Sequence, residues 1–132
     1  MATIKRFEDI ESWKLGKELC EKVGSLIDVG KFKKNYRLID QIEGSSGSIM
    51  DNIAEGFERG NRTEFILFLG YAKGSSGEFR SQLYRALNRK YISQEEFDEL
   101  FDLAVNISGL IQKFIEYLLK TEIAGSRKNI KR

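Results

Sequence analysis

Few side chains in this sequence have the type and spacing that catalysis requires. The 132 residues contain no histidine, so the commonest general base, the commonest metal ligand and the Glu-x-x-His pair of di-iron bundles are missing. The single cysteine, Cys20, lies among apolar residues at helical spacing, which predicts a core position. Glu43, Glu55 and Glu78 could bind magnesium, but no ligand spacing specifies a site. The sequence therefore predicts a protein that is not an enzyme, with no cofactor and no metal.

Basic residues offer a different chemistry, the binding of phosphate groups. Residues 120–132 carry a net charge of +4 within a chain of net charge +2, which leaves −2 for residues 1–119. We interpret 120–132 as a basic, frayed and solvated C-terminal tail. The remainder lacks the bulk positive charge of a dedicated nucleic-acid binder. It nevertheless holds seven basic residues, within 31–37 and 80–89, that are candidate nucleic-acid contacts. These are Lys31, Lys33, Lys34, Arg37, Arg80, Arg85 and Arg89.

The sequence also indicates the compartment. No apolar run approaches the roughly 20 residues that a membrane-spanning helix needs, and the first residues, MATIKRFEDIESW, have no apolar segment of signal-peptide type. One cysteine cannot form an internal disulfide, which is typical of a reducing environment. We expect a cytoplasmic protein with no membrane association.

Apolar residues recur at helical spacing in four long segments, about 8–28, 36–59, 62–90 and 94–119. Glycines at 30 and 60 stand where helix C-caps belong, and Asn61 with Glu64 and Ser93 with Glu96 have capping-box spacing. Short connections make consecutive helices antiparallel neighbours. The predicted fold is all-α, an antiparallel up-down-up-down four-helix bundle spanning 1–119.

The tetrapeptide Gly-Ser-Ser-Gly occurs twice, at 44–47 and 74–77. The apolar pattern crosses both copies in register, which predicts continuous helix rather than linkers. Each helical glycine costs roughly 1 kcal/mol relative to alanine, so some packing should compensate. In the third segment the glycines form a second face, far from the core face, which we call the small-residue stripe: Leu67, Gly70, Gly74, Gly77, Ser81 and Tyr84.

Two interpretations of the small-residue stripe remain open. Close approach of a helix from another subunit or partner would explain why glycine is used there. Alternatively, a solvated helix face simply tolerates glycine at some cost in stability.

Polar residues of the second segment recur at alternating spacings of four and three residues, and we call them the polar seam. They are Gln41, Ser45, Ser48, Asn52, Glu55 and Arg59. One interpretation is an ordinary solvated face with a weak Glu55–Arg59 ion pair at i,i+4. The other is a hydrogen-bonded seam that fixes the register of packed helices. A polar stripe alone does not reveal burial, so the sequence leaves both open.

Several of these residues also form a family motif. Arg6-Phe7-Glu8-Asp9-Ile10 with Trp13-Lys14, then Ser48-Ile49-x-x-Asn52-Ile53-Ala54-Glu55-Gly56 with Arg59, then Ala72-x-Gly74-Ser75-x-x-Glu78, match in order and spacing over about 6–119. The chain thereby resembles the four-helix-bundle proteins linked to 23S ribosomal RNA intervening sequences. The resemblance gives motif status to Ser48, Asn52, Glu55, Gly56, Arg59, Ser75 and Glu78.

This resemblance implies a four-helix bundle that assembles as a ring of five copies. Accessory proteins of diversity-generating retroelements are similar too, and they bind nucleic acid and a reverse transcriptase. The sequence thus supports two functional hypotheses. One is a non-enzymatic homo-oligomeric scaffold or interaction module. The alternative is a nucleic-acid-binding accessory protein that acts on RNA or DNA, with a reverse transcriptase or ribosomal RNA as its context.

Overall fold

The amphipathic segments, none interrupted by proline, form four helices in a computed structural model that describes residues 4–129, with side chains for residues 4–121. The helices are α1 (Glu11–Asp28), α2 (Tyr36–Glu58), α3 (Arg62–Asn88) and α4 (Gln94–Asn129), and a 3-10 turn, Phe7–Asp9, precedes them. Both Gly-Ser-Ser-Gly segments lie inside unbroken helix, as predicted.

Contacts between neighbouring helices run in opposite chain directions. Ser45 of α2 contacts Gln82 of α3, whereas Gly56, later in α2, contacts Phe68, earlier in α3. Along α3 and α4, the corresponding pairs are Ser76 with Ala104 and Arg62 with Thr121. α4 returns beside α1, where Lys22 bonds to Glu99 over 2.6 Å. The antiparallel four-helix bundle is therefore confirmed.

The inward stripes of the four helices meet in one apolar core. Its fully buried members come from every helix and include Leu19, Ile42, Leu69, Phe79 and Ile107. The core gives each helix a fixed rotation about its axis, and this rotation decides which residues reach the surface.

The predicted helix starts and stops are mostly confirmed. Gly30 and Gly60 both have positive φ, at 81° and 77°, the left-handed geometry that ends helices. Ser93 and Glu96 form a full capping box, since each backbone N–H donates to the other side chain over 2.8 and 3.0 Å. Asn61 Oδ1 likewise accepts from the Glu64 N–H over 2.9 Å.

Two helix limits differ from the sequence prediction. The first segment does not begin its α-helix at 8, because Ile10 is extended (φ −76°, ψ 124°) and inserts its side chain into the core at 2% exposure. The last helix continues to Asn129 instead of ending near 119. The regular apolar pattern ends near 119, but no proline follows to stop the backbone. Of the tail prediction, residues 130–132 lie outside the described residues.

Candidate functional site

The small-residue stripe lies on the outer surface of α3. Leu67 is 49% exposed and Tyr84 is 51% exposed. Gly70 and Gly74 are exposed too, and a Cβ atom added at either position would meet nothing within 4 Å. The stripe therefore contributes no packing to the bundle at Gly70 and Gly74. Its predicted position away from the core is confirmed, whereas the helix expected to cover it stays a prediction.

Aromatic side chains border the small-residue stripe. Tyr84 packs against Phe97 and Phe101 of α4, with ring centroids 5.0 and 5.6 Å away. Tyr71, which the sequence analysis did not single out, is 51% exposed and packs edge-on against Phe68. The stripe is thus a shallow strip of glycine and serine with large, partly exposed side chains beside it. Surfaces of this kind, with aromatic anchors, are typical of protein interfaces.

The first half of the polar seam joins α2 to α3. Ser45 is 3% exposed, and its hydroxyl donates to Gln82 Oε1, a buried amide that the sequence analysis missed. One turn earlier, Arg85 Nη1 donates to Gln41 Oε1 over 2.9 Å. The interpretation of a seam that fixes helix register holds for this half.

The second half of the polar seam is different. Asn52 Nδ2 donates to the backbone carbonyl and hydroxyl of Ser48, within α2. The expected pair between Glu55 and Arg59 is present at 2.6 Å, with both side chains largely in solvent. The interpretation of a solvated face with one weak ion pair holds for this half.

Gly56 marks the closest approach of α2 and α3. It is buried, and an added Cβ would lie 2.6 Å from the Phe68 Cβ, a distance that real Cβ atoms do not reach. Arg59 covers the same corner, since its guanidinium lies 4.9 Å from the centroid of the Phe68 ring. The most specific part of the family motif therefore builds the α2–α3 corner. The two motif residues of α3 lie apart from this corner, with Ser75 half-buried and Glu78 exposed.

The structure collects most of the predicted basic residues at one end of the bundle, which we call the basic end. A shallow groove of about 250 Å³ is lined there by Asn35, Leu38, Arg85, Asn88 and Arg89. Lys33 and Lys34 are exposed on the loop that precedes Asn35 in the chain. Arg37 is exposed between Asn35 and Leu38. The two asparagines were missed by the sequence analysis, although Asn35 stands at a recognisable N-cap position and caps α2 through the Leu38 N–H.

Charge neutralisation at the basic end is uneven. Lys31 forms an ion pair with Glu96 at 3.4 Å. Among the described side chains, no carboxylate pairs with Arg85 or Arg89 within 4.0 Å. Arg89 instead lies 5.4 Å from the centre of the Tyr91 ring. Arg80 is not part of this group, because it lies along the middle of the bundle, 6.0 Å from the Phe101 ring.

Residues considered for catalysis are not brought together. Cys20 is half-buried beside α2, and burial raises the pKa of its thiol, which makes it a poorer nucleophile. Within residues 4–121, no three Cys, Asp or Glu side chains lie close enough to share a metal ion. No helix in that part of the chain has the length and apolarity needed to span a membrane.

These features define an all-α four-helix bundle. Residues 8–113 match the model of the 23S rRNA-intervening sequence protein family, and the chain belongs to this family. Its fold is similar to a protein of unknown function from the S23 ribosomal protein family of Bacteroides thetaiotaomicron, with a TM-score of 0.74 and 23% identity over 79% of this chain and 97% of that chain. Among curated proteins, none matches.

Proposed function

We propose that this protein is a non-enzymatic interaction module that assembles with copies of itself through the small-residue stripe of α3. The observation that carries the proposal is the placement of Gly70 and Gly74 on an exposed helix face, in line with half-buried Gly77, each glycine at a cost of roughly 1 kcal/mol. The bundle gains nothing from Gly70 or Gly74, because added Cβ atoms there would contact nothing. A neighbouring helix packed against the stripe would account for all three.

The same face supplies the apolar area that an interface needs. Leu67 and Tyr84 stand at its two ends, about half exposed. Small residues between larger ones allow a helix to approach closely while the larger side chains pack around it. The family resemblance favours a ring of five copies.

Substitution of an apolar end of the stripe by a charge tests this proposal. We expect Leu67→Asp to shift the protein to smaller species in sedimentation velocity at micromolar concentration, because a buried unpaired carboxylate is costly. Val29→Asp is the matched control, since Val29 is 71% exposed in the loop after α1, at the end of the bundle. Equal sedimentation of both variants and the wild type would contradict the proposal.

A second candidate function is nucleic-acid binding at the basic end. The specific observation is the groove lined by Arg85 and Arg89, whose guanidinium groups have no carboxylate partner in the described structure. Phosphate groups are the natural ligands of such cations. Assembly into a ring would repeat the basic end in every subunit and raise the local positive potential.

Salt titration tests the second candidate. We expect the affinity for a fluorescent single-stranded RNA to fall steeply between 50 and 200 mM salt (roughly tenfold or more) through counterion release. Arg85→Gln and Arg89→Gln should each reduce the slope of log K against log salt by about one. Arg6→Gln is the control, because Arg6 already pairs with Asp9 at the other end of the bundle. No binding at low salt, or a flat salt response, would rule this function out.

A further inference from the structure

A cleft lies between the start of α1 and the middle of α4, away from the small-residue stripe and the basic end. Its volume is about 360 Å³, within the range of small-molecule sites in proteins. The apolar part of its wall is formed by Ile4, Ile10, Leu110 and Phe114. Ile10 is fully buried at 2% exposure, and the other three are half-buried, so the cleft reaches the core.

One polar side chain in the wall has no partner. Ser12 lines the cleft and is 2% exposed, and its hydroxyl is the one described buried side-chain group without a hydrogen bond. A buried hydroxyl left unpaired lowers the stability of the fold. Other buried serines avoid this cost, as Ser76 does by donating to the carbonyl of Ala104 over 2.9 Å. The cost at Ser12 calls for a specific explanation.

The start of α1 lies beside the cleft. The N-cap residue is Ile10, which has no side-chain acceptor for the N–H groups of the first turn. The cleft therefore has one side-chain donor without an acceptor, the Ser12 hydroxyl, set in an apolar wall. At its rim, exposed Lys113 stands near exposed Glu11, and Asp9 is already paired with Arg6. Charges of both signs at the rim give no preference for a charged ligand.

We infer that this cleft binds a small, uncharged, mostly apolar molecule with one acceptor oxygen, such as a carbonyl, which takes the hydrogen bond of the Ser12 hydroxyl. The apolar body fills the cleft, and the oxygen meets the Ser12 hydroxyl. A hydroxyl that costs stability in the free protein but pairs with a bound oxygen would be kept for binding rather than for folding.

A matched pair of probes tests the inference. Acetophenone has a carbonyl oxygen where cumene, of nearly the same shape, has a methyl group. We expect both to shift the backbone NMR signals of Leu110 and Phe114 on titration into the full chain. Ser12→Ala should weaken acetophenone binding about two- to tenfold, the loss of one hydrogen bond, and leave cumene binding unchanged. Absence of binding by both probes, or equal effects of Ser12→Ala on both, would overturn the inference.

The stability of the same variant gives an independent test. Ser12→Ala removes an unpaired hydroxyl and introduces a better helix former, so its melting temperature should rise. Ser76→Ala is the control, and its melting temperature should fall because it leaves the Ala104 carbonyl without its side-chain donor. If Ser12→Ala melts at a lower temperature than the wild type, the hydroxyl already has a structural partner and the inference is wrong. Neither test depends on the oligomeric state.

Discussion

Substitution of Gly74 by leucine separates assembly from folding. In the isolated bundle, the new side chain enters open space, because an added Cβ meets nothing within 4 Å. Leucine is also the better helix former by about 1 kcal/mol. This gain is present in monomer and assembly alike, so it does not alter the equilibrium between them. In the assembly, the side chain fills space meant for a neighbouring helix, at a cost of about 1–3 kcal/mol per contact.

A cost of that size weakens each interface roughly 5- to 140-fold. We expect Gly74→Leu to sediment as a smaller species at micromolar concentration, with helical circular dichroism retained. Gly44→Leu is the matched control, since Gly44 is an exposed glycine inside α2 with nothing within 4 Å of an added Cβ. It should keep the wild-type mass. An unchanged mass with a raised melting temperature for Gly74→Leu would refute the reasoning, because the stripe would then be merely solvated.

Four further predictions concern the bundle itself. Gly56→Ala should unfold at lower urea concentration than the wild type, because its Cβ would lie 2.6 Å from the Phe68 Cβ and force α2 away from α3; overpacking of this kind costs about 1–3 kcal/mol, and equal midpoints would contradict it. Ser93→Ala should lower the free energy of unfolding at pH 7 by about 1 kcal/mol, because it removes the side chain that caps α4. The Ser93 N–H donates a hydrogen bond to Glu96, which holds the pKa of Glu96 below its ordinary value of 4.5. The stabilisation by this carboxylate is therefore present above pH 4.5 and is lost as pH falls through the lower folded pKa. Glu96→Gln should therefore flatten the fall of stability at acid pH, and an unaltered fall would count against this cap. Because burial raises the pKa of Cys20, its reaction with a thiol reagent at pH 7.5 should be slower than that of free cysteine and should accelerate as pH rises. A rate equal to that of free cysteine would show that burial does not control the reactivity of Cys20.

The sequence predicted the bundle because its signals are local. Apolar periodicity, two cap glycines and two capping boxes each depend on neighbours within one or two turns. The start of α1 was predicted too early because the break at Ile10 depends on a tertiary cause, the insertion of that side chain into the core. The predicted end of α4 depended on the end of the regular apolar pattern, whereas the helical backbone continues to Asn129.

The surfaces were predictable only in part. Helical phase placed the small-residue stripe of α3 outside the core, where it lies. Phase could not divide the polar seam of α2 into a buried half at Ser45 and a solvated half at Glu55, because that division depends on where α3 packs. The same limit applies to the groove at the basic end. Arg85 and Arg89 were visible as charges, but their meeting with Asn35 is a product of the tertiary fold.

The central claim is that the outer face of α3 is an assembly surface, and the mass of the wild-type protein in solution tests it most directly. Light scattering coupled to size exclusion at micromolar concentration should give a multiple of the 15.2 kDa chain mass, and five times that mass if the ring has the size that the family resemblance favours. A single species of 15.2 kDa across that concentration range would contradict the account.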